Sequence, residues 1–202
     1  MDAKGCEFLM KSSVLPVSPW LGFLRALRLL RCKISPVIEM TTVASPVGPL
    51  TIAAHEGRLC LLHFGEASER VSTQLSRWYR RETVGSSGDP AGAVTALTRY
   101  FSGEIAALDG IEVTLNGTPF QTRVWETLRS VRAGTIASYA ELARRVGSPA
   151  AVRAVGAANG ANPVAIVLPC HRIIGTNGSL TGYGGGLDRK RWLLEHERVR
   201  LF

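Results

Sequence analysis

The stretch Asn116-Gly117-Thr118-Pro119-Phe120 divides this chain into two parts built on different patterns. Thr118 suits an N-cap and Pro119 the first helical position, so a helix is predicted to begin there. Upstream, short apolar runs are bounded by turn residues; downstream, apolar residues recur at helical spacing between glycines and prolines. The upstream part is predicted to be a small α/β domain over 40–115. The downstream part, 116–202, is predicted to be mainly helical, giving an α+β chain overall.

In the first part, Pro46, Gly48 and Pro49 precede a strand over 50–54. His55-Glu56-Gly57 turns the chain, and 59–64 returns as a second strand. Val71, Leu75, Trp78 and Tyr79 have helical spacing, TVGSSGDPAG reads as a loop, AVTALTRYFSGE as a short helix and LDGIEVTL as a strand. Residues 1–39 differ from all this. They are punctuated by proline and mildly basic, with one amphipathic run from Trp20 to Ile34, and read as a disordered extension before a working start at Met40.

The charge balance narrows the partners. Twenty-four Lys and Arg against 16 Asp and Glu leave a net +8, which favours a polyanionic partner, either nucleic acid or an acidic membrane face. The cysteines Cys6, Cys32, Cys60 and Cys170 are widely spread without a C-x-x-C pair. That excludes a disulfide framework and argues against a metal cluster, and it fits a reducing cytoplasm. No run reaches the roughly 18 apolar residues of a membrane helix. Arg25, Arg28 and Arg31 interrupt the one apolar stretch near the start, so neither a membrane partner nor a signal peptide is expected.

After the helix over PFQTRVWETLRSV, with Phe120, Val124, Trp125 and Leu128 as its stripe, comes SYAELARRVGSPAAVRAVGAANGANP. Ser138 and Glu141 fit a capping box, Gly147 can end that helix, and Pro149 can start a second one running to Asn159. This is helix-turn-helix grammar, although any αα-hairpin looks similar. A helix that reads bases displays long polar side chains. Here Arg153 is the only one before Asn159, among Ala151, Ala154, Gly156 and similar small residues. Such a helix can approach a DNA backbone closely while reading almost no sequence.

ANPVAIVLPCHRII follows. A buried strand-like run over 164–168 ends at Pro169, which holds Cys170 in one orientation. A cysteine thiol becomes a nucleophile as its thiolate, and an adjacent histidine can take its proton. His171 is placed for that, directly or through a water. A carboxylate behind it would hold the imidazole, and Glu197 and Glu195 both qualify. A papain-like protease carries its histidine far from its cysteine in sequence, so that reading fits poorly. Further on, Tyr183 precedes Gly184, Gly185 and Gly186, where the backbone can pass close to a flat group.

From about residue 40 onward the chain resembles the O6-alkylguanine-DNA alkyltransferases, on the motifs TPFQTRVW, SYAELA, AVRAVGAANGANP, PCHRII and GYGGGLDRKRWLLEHE. The resemblance implies a ribonuclease-H-like first domain and a winged-helix-like second one. It implies a monomer that binds double-stranded DNA in the minor groove, flips O6-alkylguanine or O4-alkylthymine from the stack, and moves the alkyl group irreversibly to its own cysteine, without a cofactor. On this basis Cys170 is the acceptor, His171 its water-mediated base, and Glu197 the carboxylate that orients His171. Asn162 braces the turn between recognition helix and active site. Tyr139 protonates the leaving base, and Arg153 fills the gap in the stack. Ala151, Ala154, Gly156 and Arg172 would join Arg153 on DNA, while Tyr183, Gly184, Gly185, Val167 and Pro169 would form the pocket.

Two departures bear on substrate and metal. Family members often have a small hydroxyl residue where this chain has Gly184, which implies one fewer hydrogen bond to the base and more room for bulky groups. Some members hold zinc in the first domain. His55, Cys60 and His63 lie in that region, but their spacing does not reproduce the ligand set, so no metal is expected. A binding-only relative would lack the cysteine, and a redox-sensing repressor would need a helix able to read an operator.

Overall fold

The computed structural model describes residues 37–80 and 82–199. Of the extension expected over 1–39, residues 1–36, with the run from Trp20 to Ile34, lie outside the described residues. Strand β1 (Val37–Val43) pairs antiparallel with β2 (Leu50–His55), and β2 with β3 (Arg58–Phe64). The expected boundary at Met40 therefore falls inside β1: Ile38, assigned to the extension, is a buried core residue. TVGSSGDPAG is not all loop either. Its residues form β4 (Thr83–Ser86), parallel to β1, giving the sheet order β3-β2-β1-β4. This edge strand exposes most of its side chains, so no hydrophobic alternation marks it.

The first five residues of β2 are all buried, because both faces of the strand are covered. On one side Ala53 packs with Ile38, Cys60 and Leu61 against Val71 and Leu75 of helix α1 (Glu69–Trp78). On the other, Leu50 and Ile52 enter a larger core with Ala93, Leu97 and Tyr100 of α2 (Ala93–Phe101). The strand expected over LDGIEVTL is absent. A 3₁₀ turn at Ile105–Leu108 is followed by one isolated bridge, Leu59 to Val113.

Thr118 caps helix α3 (Pro119–Leu128) in a full capping box with Gln121, and Val124, Trp125 and Leu128 are buried. Helix α4 (Tyr139–Arg145) is capped by Ser138, whose side chain accepts from the Glu141 amide at 3.1 Å. The expected box is only half made, because Glu141 turns to Arg144 and Arg145. Gly147, at φ +77°, allows the turn into α5 (Val152–Gly160). That helix starts later than the Pro149 expected to open it. The Trp125 indole donates to the Ala158 carbonyl at 2.7 Å and ties α5 to α3.

The run over 164–168 is buried, as its composition predicts, but it is no strand. Val164 makes one bridge to Leu62 of β3, then the chain turns tightly, with Ile166 at φ +69°. These turns lead into a 3₁₀ turn at Cys170–Arg172, the short strand β6 (Ile173–Ile174) beside β5 (Ala137–Ser138), and the closing helix α6 (Leu187–His196). Leu50, Leu62, Leu128, Leu142, Val155, Leu168 and Leu193 share one core cluster, so both parts pack around the same interior. Among the described residues, no helix is long and apolar enough to cross a membrane.

Candidate active site

Cys170 opens the 3₁₀ turn with only 5% of its surface exposed. Its position is set by Asn162, just beyond α5. The Asn162 amide donates to the Leu168 carbonyl at 2.8 Å and to Cys170 Sγ at 3.1 Å, while its oxygen accepts from the Val164 amide at 3.0 Å. One side chain thus pins the tight turns and touches the sulfur. Burial pushes the thiol pKa up. The Asn162 hydrogen bond and the charge of Lys190 pull it back without cancelling that rise.

His171 is completely buried, and burial lowers its pKa, so the ring is neutral at pH 7. Its Nε2 lies 3.0 Å from Glu197 Oε1. A carboxylate only accepts, so Nε2 carries the proton and the lone pair sits on Nδ1. Nδ1 is buried with no hydrogen-bond partner. Glu197 is the C-cap of α6 and turns inward, whereas Glu195 stays exposed. The Tyr100 hydroxyl also donates to Glu197 Oε1 at 2.9 Å. Burial pushes the Glu197 carboxyl up, but hydrogen bonds from His171 and Arg172 outweigh it together and hold it at about 2.

Arg172, expected on the DNA side, turns inward to the carboxylate. Its guanidinium donates to both Glu197 oxygens at 2.8 Å and to the Val131 carbonyl at 2.6 Å. A buried carboxylate needs a compensating cation, and Arg172 supplies it.

The thiol faces a chamber of about 40 Å³, lined by Asn159, Asn162, Ala165, Tyr183, Gly184 and Gly185 from this part, and by His63 and Phe64 from the sheet. Beside it runs an open groove of about 530 Å³, lined by Tyr139, Arg153, Gly156, Gly182 and Tyr183. Gly160, Tyr183 and Gly184 border both. On α5, Arg153 and Ala154 are exposed and Gly156 is half-buried, as is Ala151 at its N-cap. The Tyr139 hydroxyl donates to the carbonyls of Thr181 (3.2 Å) and Gly182 (3.0 Å), and burial keeps its pKa raised. Two expected pocket residues lie elsewhere. Val167, just after the positive-φ turn at Ile166, lines a different cavity with Ile105 and Arg129. Pro169 is buried and lines neither space.

Lys190, Tyr100 and Phe64 belong to the site and went unread in the sequence. Lys190 is fully buried; its ammonium donates to the carbonyls of Ile173 (2.5 Å) and Thr181 (2.9 Å), and burial lowers its pKa to about 8. Nothing in the run Asp188-Arg189-Lys190-Arg191 marks which cation turns inward. Tyr100 meets Glu197 across 97 positions of chain, a pairing no local pattern shows. In the first domain, His55 Nε2 lies 2.7 Å from Glu82 Oε2. Among the described residues, no three His, Cys, Asp or Glu side chains are grouped to hold a metal ion.

Two family models match the chain. The 6-O-methylguanine DNA methyltransferase ribonuclease-like domain covers residues 38–115, and the DNA-binding domain of the same name covers 119–199. The methylated-DNA–protein-cysteine methyltransferase of Salmonella typhimurium is 46% identical over 158 residues, 77% of this chain and 92% of its own length. That of Mycobacterium tuberculosis is 46% identical over 164 residues, 81% of this chain and 94% of its own. The crystal structure of the M. tuberculosis O6-methylguanine methyltransferase aligns with a TM-score of 0.67 at 44% identity, covering 80% of this chain and 93% of that one. The M. tuberculosis protein in complex with DNA aligns at 0.66 and 44%, covering 80% and 92%.

Proposed function

The chain belongs to the methylated-DNA–protein-cysteine methyltransferase family, and on that premise we propose that it repairs duplex DNA by taking the alkyl group of O6-alkylguanine onto Cys170. The observation that carries this reading is a buried thiol held by Asn162, with a neutral histidine and its carboxylate next in line, at the inner end of a groove bordered by α5.

Cys170 lies too deep for a base still stacked in a duplex, so the nucleotide must leave the stack, which costs a few kcal/mol. The slender α5 enters the minor groove, and Arg153 takes the place of the extruded base. The base occupies the groove beside Tyr139 and Tyr183, with its alkyl group in the inner chamber. His171 Nδ1 takes the thiol proton through a water, and Glu197 stabilises the imidazolium that results. The thiolate then attacks the alkyl carbon. A carbon–sulfur bond forms, the carbon–O6 bond breaks, and its electron pair returns to the base. Tyr139 releases its loop carbonyls and protonates the base at N3 as charge develops. The thioether has no leaving group as good as the base, so each molecule acts once. O4-alkylthymine presents the same exocyclic alkyl ether and fits the same geometry.

One chain supplies every group named, which supports action as a monomer. The described cysteines, Cys60 and Cys170, are both free thiols, in keeping with a reducing cytoplasm. The test is mass spectrometry of the protein after mixing with a duplex containing one O6-methylguanine, with Cys170→Ser in parallel. The expected result is one methyl on the Cys170 peptide, never more than one per protein, and none in the variant. Tight binding to the lesion with no gain in mass would overturn transfer in favour of damage recognition alone.

A further inference from the structure

Most walls of the thiol chamber cannot yield to a larger group. Gly160, Gly184, Gly185 and Ala165 have little or no side chain to withdraw, and Asn162 is held by the turns it braces. The bulk comes from Asn159 and Tyr183 and from two residues of the first domain, His63 and Phe64, at the end of β3. Tyr183 is not independent of Phe64, because the two rings meet edge to face at 5.8 Å. A ring displaced at position 64 would release the tyrosine too.

Phe64 is itself clamped. Gly185 passes so close that a Cβ there would lie 2.7 Å from the Phe64 ring. The Arg189 guanidinium carbon sits 5.4 Å from the ring centroid, within cation–π range. Arg189 is in turn fixed by hydrogen bonds to the Val47 carbonyl (2.6 Å) and the Gly185 carbonyl (2.8 Å). The sheet domain thus presents a rigid aromatic wall to a site otherwise built by the other half of the chain. The chamber it closes, about 40 Å³, has space for a few water-sized groups. That suffices for a methyl group and not for a benzyl ring.

We propose that Phe64 sets the largest alkyl group Cys170 accepts, so that the N-terminal domain is the specificity element of the reaction. The inference rests on the alkyl-transfer reading above. Gly184 leaves room at the mouth of the chamber, and Phe64 limits its depth.

The experiment measures transfer rates from two duplexes identical except for O6-methylguanine or O6-benzylguanine, using the wild type, Phe64→Leu and Phe64→Ala. Phe64 is only half-buried, and Phe64→Leu keeps an apolar side chain there should Phe64→Ala fold poorly. Both variants are expected to raise the benzyl-to-methyl ratio, by about tenfold in the alanine variant, the scale on which an apolar pocket discriminates by size. The methyl rate of each variant is the internal reference for its benzyl rate. A loss of general structure would slow both substrates together and could not by itself raise the ratio. A constant or falling ratio in proteins that still transfer methyl overturns the role of Phe64 alone. A wild type that transfers neither group overturns the alkyl-transfer reading beneath it.

Discussion

Glu197, held at about 2 against an ordinary 4.5, couples the site to stability. Its folded pKa is depressed, so its contribution is complete above pH 4.5 and is lost as pH falls through about 2. Glu197→Gln is expected to cost about 3 kcal/mol at neutral pH and to flatten the fall of melting temperature between those values. Thermal melts across that range check it; an unchanged acid slope would mean that the carboxylate is not the group lost. Lys190 acts in the other direction. Its buried charge favours the thiolate, so Lys190→Met should raise the thiol pKa further and slow alkyl transfer about tenfold at pH 7, the rate recovering at higher pH in a rate–pH profile. At this scale the sequence was most legible where side chains act near their own position: Cys170, His171 and Asn162 stand within ten residues. The pairing of Arg172 with Glu197 was not legible, because an exposed cation and one turned onto a buried carboxylate look the same in one dimension.

Among the elements, the loop after Tyr183 makes a sharp contrast between neighbouring glycines. A Cβ at Gly184 would meet the Gly160 carbonyl at 3.6 Å, an ordinary contact, whereas at Gly185 it would strike two aromatic rings. Gly184→Ser should therefore fold like the wild type, while Gly185→Ala should lose about 1–3 kcal/mol of stability to overpacking, both readable by denaturant titration. Removing residues 1–39 should lower the melting temperature, because it takes Ile38 and part of β1 with it; an unchanged melt would show that β1 contributes little. The helices were readable because capping residues and spacing leave local marks, as at Thr118 and Ser138. The strand β4 was not, since its partner β1 supplies the pairing and its own side chains face outward. The run over 164–168 misled for the opposite reason: burial on every side makes turns look like a buried strand.

At the level of the whole molecule, the core does not respect the boundary near residue 116. Leu62 of the sheet bridges Val164 just ahead of the reactive turn, and the same cluster holds Leu50, Leu128 and Cys170. The protein should unfold in a single calorimetric transition whose van't Hoff and calorimetric enthalpies agree, and two resolved transitions would refute the shared interior. That interior also has a bearing on time. Residues leave the ribosome in order, and the carboxylate that holds His171 lies 26 positions behind it, on the far side of the buried lysine. While α6 is still inside the exit tunnel, the thiol has neither its cation nor an oriented base. On the alkyl-transfer reading proposed above, a nascent chain therefore carries an unarmed cysteine, and the protein becomes reactive only when its closing helix docks.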